Sequence, residues 1–215
     1  MAEYSNDEER LAAIVDFFKH YKNLILSVLI SISFIGIGAF GIKFSNDSKN
    51  SSASIIYTEW LEDISLDSNN IANDNIYYDK LINEYESTGF AQLAILKKAS
   101  ALAANSQLDE SEIYFKQLIS LTDGLFGNEL INKMARVSLA RIYVSKKEFD
   151  DALVIIQNLM NGSDAMINEI AGDALLGQNK IELAIEQYNL AKEMYEDEAS
   201  KNLVIMKLNN IQSVL

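Results

Sequence analysis

Apolar positions along the chain follow two different rules, and the change between them divides it. From Leu24 to Ile42 (LILSVLISISFIGIGAFGI) apolar and small residues run for 19 positions with no charge, Asn, Gln or Pro. At about 1.5 Å per residue such a helix reaches about 28 Å, close to the hydrocarbon thickness of a bilayer, so a transmembrane helix is predicted over 24–42. Ahead of it, Leu11, Ile14, Val15 and Phe18 recur at helical spacing, with acids in the first turn and cations near the end. Residues 1–23 therefore read as a tail whose amphipathic helix lies at the membrane surface. Behind the span, Ser45 to Ser54 is polar and small, and residues 43–54 read as a flexible tether.

Beyond the tether the spacing is helical almost throughout, and residues 55–215 read as one all-α domain. The predicted helices run from Ile55 to Leu66, Ile71 to Glu86, Phe90 to Ala104, Leu108 to Leu121, Asn128 to Val144, Glu148 to Met160, Ala165 to Gly177, Ile181 to Asp197 and Ala199 to Val214. The chain has no proline, so the boundaries are set by glycines and by Asn/Ser clusters.

The helices come in repeating pairs. Leu139-Ala140 and Tyr143, followed by Phe149, Ala152, Ile156 and Leu159, reproduce the spacing of a tetratricopeptide helix hairpin, where a small residue on each helix lets the two approach closely. Gly172 and Leu175 with Ile181, Ala184, Tyr188 and Ala191 repeat the pattern, and Ala99, Leu102, Leu108, Ser111, Phe115 and Leu118 form a weaker copy. From Ser111 to Ala152 is 41 residues and from Ala152 to Ala184 is 32. Against a period of about 34 residues, the first connection carries extra length, placed near Thr122 to Asn128. Leu139, Ala140, Tyr143, Ala152, Gly172, Ala184, Tyr188 and Ala191 are thus assigned to packing between repeats. The aromatics Tyr114, Phe115 and Tyr143 are assigned to the core. Val204, Leu208, Ile211 and Leu215 give the last helix the single apolar stripe of a terminal cap. The expected fold is a single membrane helix followed by a tetratricopeptide-repeat-like α-solenoid.

Composition removes whole classes of function. There is no Cys and a single His, His20, which excludes disulfides, cysteine-ligated metals, a thiol nucleophile and any multi-histidine site. A net charge of −13 with no basic patch argues against nucleic acid. Acidic clusters at Asp109/Glu110/Glu112, Asp150/Asp151 and Glu193/Glu196/Asp197/Glu198 have the composition of carboxylate sites. Two of them open second helices of hairpins, where the helix dipole favours negative charge. No catalytic loop or elbow motif occurs, and Gly36-Ile37-Gly38-Ala39-Phe40-Gly41, which spells a dinucleotide fingerprint, lies within the apolar run. The chain is read as non-enzymatic, with no catalytic, cofactor or metal residues.

Binding is the remaining class. Stacked hairpins present their first helices on a concave surface, and by phase Gln92, Lys97, Asn132, Arg136 and Asn168 are the groove candidates. In the span, Ser27, Ser31, Gly38 and Gly41 fall within about 80° of one another, a small-residue stripe interrupted by Phe34 and suited to a partner helix. Arg10, Lys19, Lys22 and the α-amino group precede the span, against Lys43 and Lys49 after it, which points to a cytoplasmic N-terminus.

In order, the acidic start, EERLAAIVDFFKHYKN, the span, the tether and the short repeat array resemble the ancillary SecYEG translocon subunit family. The local pieces are Glu9 to Asn23, Ala171 to Gln178 and Met206 to Asn210. The resemblance implies a bacterial inner-membrane protein with its repeat domain in the periplasm. It further implies association with SecYEG and a membrane-anchored chaperone of the PpiD type, and contact with client chains leaving the channel. A periplasmic scaffold for another envelope complex is the alternative.

Overall fold

A computed structural model of the chain describes residues 20–21, 46–65, 75–125, 127–160, 162 and 164–212. The expected membrane span at 24–42, its face of Ser27, Ser31, Gly38 and Gly41, most of the amphipathic tail and residues 213–215 lie outside the described residues. Among those described, no helix is long and apolar enough to cross a membrane. The chain divides into two units, Met1–Lys49 and Asn50–Leu215. In the first, His20 and Tyr21 are helical, their rings edge to face with centroids 4.7 Å apart.

All described elements from residue 46 onward are helical. A helix over residues 46–65 (α1) is followed by α2 (Ile76–Glu84), α3 (Gly89–Ala104), α4 (Leu108–Thr122), α5 (Glu129–Lys146), α6 (Phe149–Ile156), α7 (Ala165–Gly177), α8 (Ile181–Met194) and α9 (Glu198–Gln212). A single 3-10 turn, Gln157–Leu159, extends α6. From α3 to α9 each helix packs on the next, and the first helices of successive hairpins also touch, α3 on α5 and α5 on α7. That is the packing of stacked helix hairpins: α3–α4, α5–α6 and α7–α8, with α9 against the last.

The tether expected over 43–54 is corrected here, since residues 46–54 are helical. Ala53 is fully buried in phase with Ile56, Trp60 and Ile64, so the anchored apolar stripe begins inside the polar stretch and the helix extends N-terminally from it. Trp60 stacks obliquely with Tyr57 and Tyr78, both at 5.8 Å, and Tyr57 with Phe90 of α3 at 5.7 Å. The helix expected from Ile71 starts instead at Ile76, because the Asn75 side chain caps it by accepting from the Tyr77 N–H at 2.9 Å. The helix expected to run to Asp197 stops at Met194, with Tyr195 extended.

The turn inside each hairpin is the same turn three times. Ser106, Lys147 and Asn179 take left-handed backbone conformations, with φ of 63°, 63° and 59°. The next residue's N–H reaches back five residues, Gln107 to the Leu102 carbonyl, Glu148 to Tyr143 and Lys180 to Leu175, at 2.8–2.9 Å. This reversal satisfies the orphan carbonyls of the first helix and starts the second with no side-chain cap. The first helices do have caps: Thr88, Asn128 and Asp164 accept from the N–H groups of Ala91, Ile131 and Met166. The extra length between the first two hairpins lies in the loop after Thr122, where Gly124 has φ of 92° and Gly127 packs on the Thr122 carbonyl.

Small residues set the spacing within each hairpin. Ala99, Ala140, Ala152 and Ala184 are fully buried, and the Ser111 hydroxyl donates to the Ala99 carbonyl at 2.7 Å. Leu139, Tyr143, Tyr188 and Ala191 are buried beside them. Gly172 faces the Tyr188 ring so closely that an added Cβ would lie 2.7 Å from its Cδ1 and Cε1 atoms.

Two kinds of substitution test this packing in opposite directions. Lys147→Gly and Ser106→Gly relieve a side chain held at positive φ and are expected to raise unfolding free energy by about 0.5–1 kcal/mol, with Asn179→Gly gaining less. Gly172→Ala would gain about 1 kcal/mol from helix propensity alone. Tyr188 is buried and its hydroxyl is tied to Asp173, so the ring cannot retreat, and a net loss of about 1–3 kcal/mol is expected. Chemical denaturation of the four variants checks both signs.

Candidate partner-binding surface

The exposed side of the first helices α3, α5 and α7 is the surface on which a tetratricopeptide array would present its chemistry. Of the groove candidates, Lys97 is exposed. Gln92 is buried, with 7% exposure, and its Oε1 has no hydrogen-bond partner. It lines a shallow depression of about 620 Å³ with Ser87, Gly89, Gly127 and Asn128, at the starts of α3 and α5.

The other three candidates hold the array together. Asn132 donates to the Ile119 carbonyl and the Thr122 hydroxyl of α4, and its oxygen accepts from Arg136 Nε at 2.7 Å. Arg136 also reaches the Ile155 carbonyl of α6. Asn168 is buried, donating to the Asp164 carbonyl and to Met194 Sδ. Their phase is right for a polar face, yet that face turns toward neighbouring helices rather than outward. Lys98, the neighbour of Lys97, is buried between the rings of Tyr78 and Tyr114, at 4.4 and 5.0 Å from their centroids.

The polar residues that do mark this face follow the small residue of each first helix by one position: Ser100, Arg141 and Asp173. Asp173 and Glu169 on α7 both accept from Lys207 Nζ of α9 at 2.7 Å. Tyr188 donates to Asp173 at 2.7 Å and Tyr195 to Glu169 at 2.6 Å. Burial alone would raise the Glu169 carboxyl. The hydrogen bonds from Lys207 and Tyr195 and the charges of Lys207 and Arg141 outweigh it, holding the group below the usual carboxylate range. Burial and the Asp173 bond push the Tyr188 hydroxyl up. A second network joins α4 to α5: Lys146 meets Asp109, Glu112 and Glu148, while Glu112 also pairs with Lys116 one turn on. The acidic starts of the second helices are thereby used in cross-helix pairing, and Asp150 likewise accepts from Gln178 at 2.7 Å.

Two clefts open at equivalent places in the array. One, of about 260 Å³, is lined by Ser100 and Ala103 of α3, Leu108 and Phe115 of α4, and Arg141 and Ile142 of α5 among others. The second, of about 420 Å³, is lined by Asp173 and Leu176 of α7, Ile181 and Tyr188 of α8, and Lys207 and Ile211 of α9 among others. Ser100, Ala103, Leu108 and Phe115 correspond one for one to Asp173, Leu176, Ile181 and Tyr188, and each cleft receives a cation from the following helix. In the middle hairpin the position of Leu108 and Ile181 is Phe149, whose ring fills the space against Gly177.

Capped first helices, a repeated left-handed turn, small residues at the crossings and recurring clefts define a tetratricopeptide-type helical-repeat protein. The model of the tetratricopeptide repeat-like domain family matches residues 16–213, and the chain belongs to that family. Two curated relatives share the description Ancillary SecYEG translocon subunit. The one from Aggregatibacter actinomycetemcomitans is 24% identical, over 98% of this chain and all of its own length. The one from Buchnera aphidicola subsp. Acyrthosiphon pisum (strain APS) is 22% identical over 89% of this chain and 95% of its own. Among solved structures, MamA 41-end from Desulfovibrio magneticus RS-1 superposes with a TM-score of 0.52 at 14% identity, over 77% of this chain and 94% of that one, a likeness of fold.

The Lys207 network has a pH signature. A carboxyl held below its ordinary value in the fold contributes stability that is complete above the unfolded pKa of about 4.3. That contribution is lost as pH falls through the depressed folded value. Lys207→Met leaves Glu169 and Asp173 without their cation, and a loss of about 2 kcal/mol is expected at neutral pH. The gap between wild type and variant should close as the medium is acidified below about pH 4, followed by thermal unfolding across the pH range.

Proposed function

We propose that the protein is a membrane-anchored, non-enzymatic accessory of the SecYEG translocon. The carrying observation is similarity, over 98% and 89% of its length, to two proteins described as ancillary translocon subunits. In this reading residues 24–42 span the bacterial inner membrane with the N-terminus in the cytoplasm and the repeat domain in the periplasm. The charge difference across the apolar run supports that orientation, and long domains are exported largely regardless of their own charge. The small-residue face of the span contacts membrane partners. The repeat domain meets a membrane-anchored chaperone of the PpiD type, or segments of client chains leaving the channel. A family of helical-repeat proteins supports a role in binding rather than catalysis.

Crosslinking in cells, followed by mild-detergent purification of the full-length chain and mass spectrometry, tests this. SecY and a membrane chaperone are expected, and both should be lost when the span is replaced by an unrelated one. Gly38→Leu should reduce SecY recovery, whereas Gly36→Leu, about 160° away on the helix, should not. Recovery of a different, reproducible envelope complex would replace the proposal with a scaffold role there.

A further inference from the structure

The two equivalent clefts differ in one respect that points to a ligand. In the cleft between α7, α8 and α9, the incoming cation Lys207 is neutralised within the chain by Asp173 and Glu169. In the cleft between α3, α4 and α5, the incoming cation is Arg141, and the positions matching Asp173 and Glu169 are Ser100 and Leu96. Neither carries a carboxylate. Arg141 is exposed and makes no ion pair among the described residues. Its charge is felt by Glu169, but both oxygens of Glu169 are already engaged, Oε1 by Lys207 and Oε2 by Tyr195. The floor beside Arg141 is apolar: Phe115 and Ile142 are almost fully buried there, and Leu108 and Ala103 flank them. Hydroxyls line the rest, with Ser100 and Ser145 bonded to backbone carbonyls of their own helices.

We infer that the α3–α4–α5 cleft binds a partner segment in which an acidic residue adjoins an apolar one, the carboxylate pairing with Arg141 and the apolar side chain seating on Phe115, Leu108 and Ile142. The third hairpin shows what the first lacks, because there the chain itself supplies the carboxylates. A cleft of about 260 Å³ has room for a single side chain of leucine size rather than for a helix face. A guanidinium that forms no ion pair among the described residues is the group a carboxylate pairs with most directionally. The selectivity runs against the charge of the molecule as a whole. A chain of net charge −13 attracts basic segments non-specifically, so a preference for an acidic one requires a local site.

This inference rests on the reading of the repeat domain as a surface for partner segments, and its test is independent of the membrane span. The full-length protein in detergent is titrated against a short fluorescein-labelled Gly-Ser peptide with capped ends and a central Asp-Leu-Asp, with Asn-Leu-Asn and Lys-Leu-Lys versions as comparators. Fluorescence anisotropy should give the tightest binding to the Asp version, weakened by added salt. Arg141→Gln should reduce that affinity about tenfold. Ser100→Asp, which builds into the first cleft the carboxylate found in the third, should do the same by capturing Arg141 within the chain. Both positions are exposed, and unchanged thermal unfolding would show that the fold is intact. Equal binding of the Asp and Asn peptides, tighter binding of the Lys peptide, or wild-type affinity in both variants would overturn the inference. SecY crosslinking retained in Arg141→Gln alongside lost peptide binding would separate this site from the translocon proposal.

Discussion

The close approach of two helices within each hairpin is the constraint on which the rest of the array depends. Only a side chain of Gly, Ala or Ser size fits at the crossing, as Gly172 against the Tyr188 ring and Ser111 against the Ala99 carbonyl demonstrate. Once the first helix lies that near the second, the connection must reverse the chain within a few residues. One left-handed residue and a bond reaching back five positions accomplish that each time. Because the turn is the same in all three hairpins, the two helices of each leave it in the same relation. The first helices then fall side by side without any further instruction from the sequence.

Variation is confined to what fills the joints. The large apolar residue one turn beyond the small residue of each second helix is Phe115, Ile156 or Tyr188, and the residue opening that helix is Leu108, Phe149 or Ile181. Where the opening residue is the large Phe149, it fills the space against Gly177. Where it is aliphatic, a cleft remains. A conserved backbone plan thus carries non-equivalent surfaces, which is how one repeat type distinguishes one partner contact from another.

Charge is distributed by the same logic. The overall acidity is spread over helix starts, where the dipole tolerates it, and over pairs that bridge neighbouring helices, such as Lys146 with Glu112 and Lys207 with Glu169. Half-buried pairs of this kind add little net stability compared with apolar contacts, since desolvation offsets much of the attraction. Their consequence is positional: Lys207 draws α9 to α7, and Lys146 ties α5 to α4. Arg141 differs in forming no such pair among the described residues.

The existence, number and approximate bounds of the helices from α3 to α9 were legible in the one-dimensional pattern, because apolar spacing and the size of a side chain are properties of the residue itself. So was the pairing into hairpins, through recurring small residues, and the extra length after Thr122. The helix over 46–54 was less legible, since Ser and Asn dominate locally and the deciding contact of Ala53 with the core is made through space. The surface was the least legible part. Asn132, Arg136 and Asn168 have the period of an outward face but are drawn into bonds with adjacent helices, and whether a polar side chain meets solvent or a neighbour's carbonyl depends on how the helices lean together. Likewise Ser100, Arg141 and Asp173 are three unremarkable letters until stacking aligns them. Local periodicity determined the elements of this protein, while its charged and hollow places were decided by the angles at which those elements pack, which no single helix encodes.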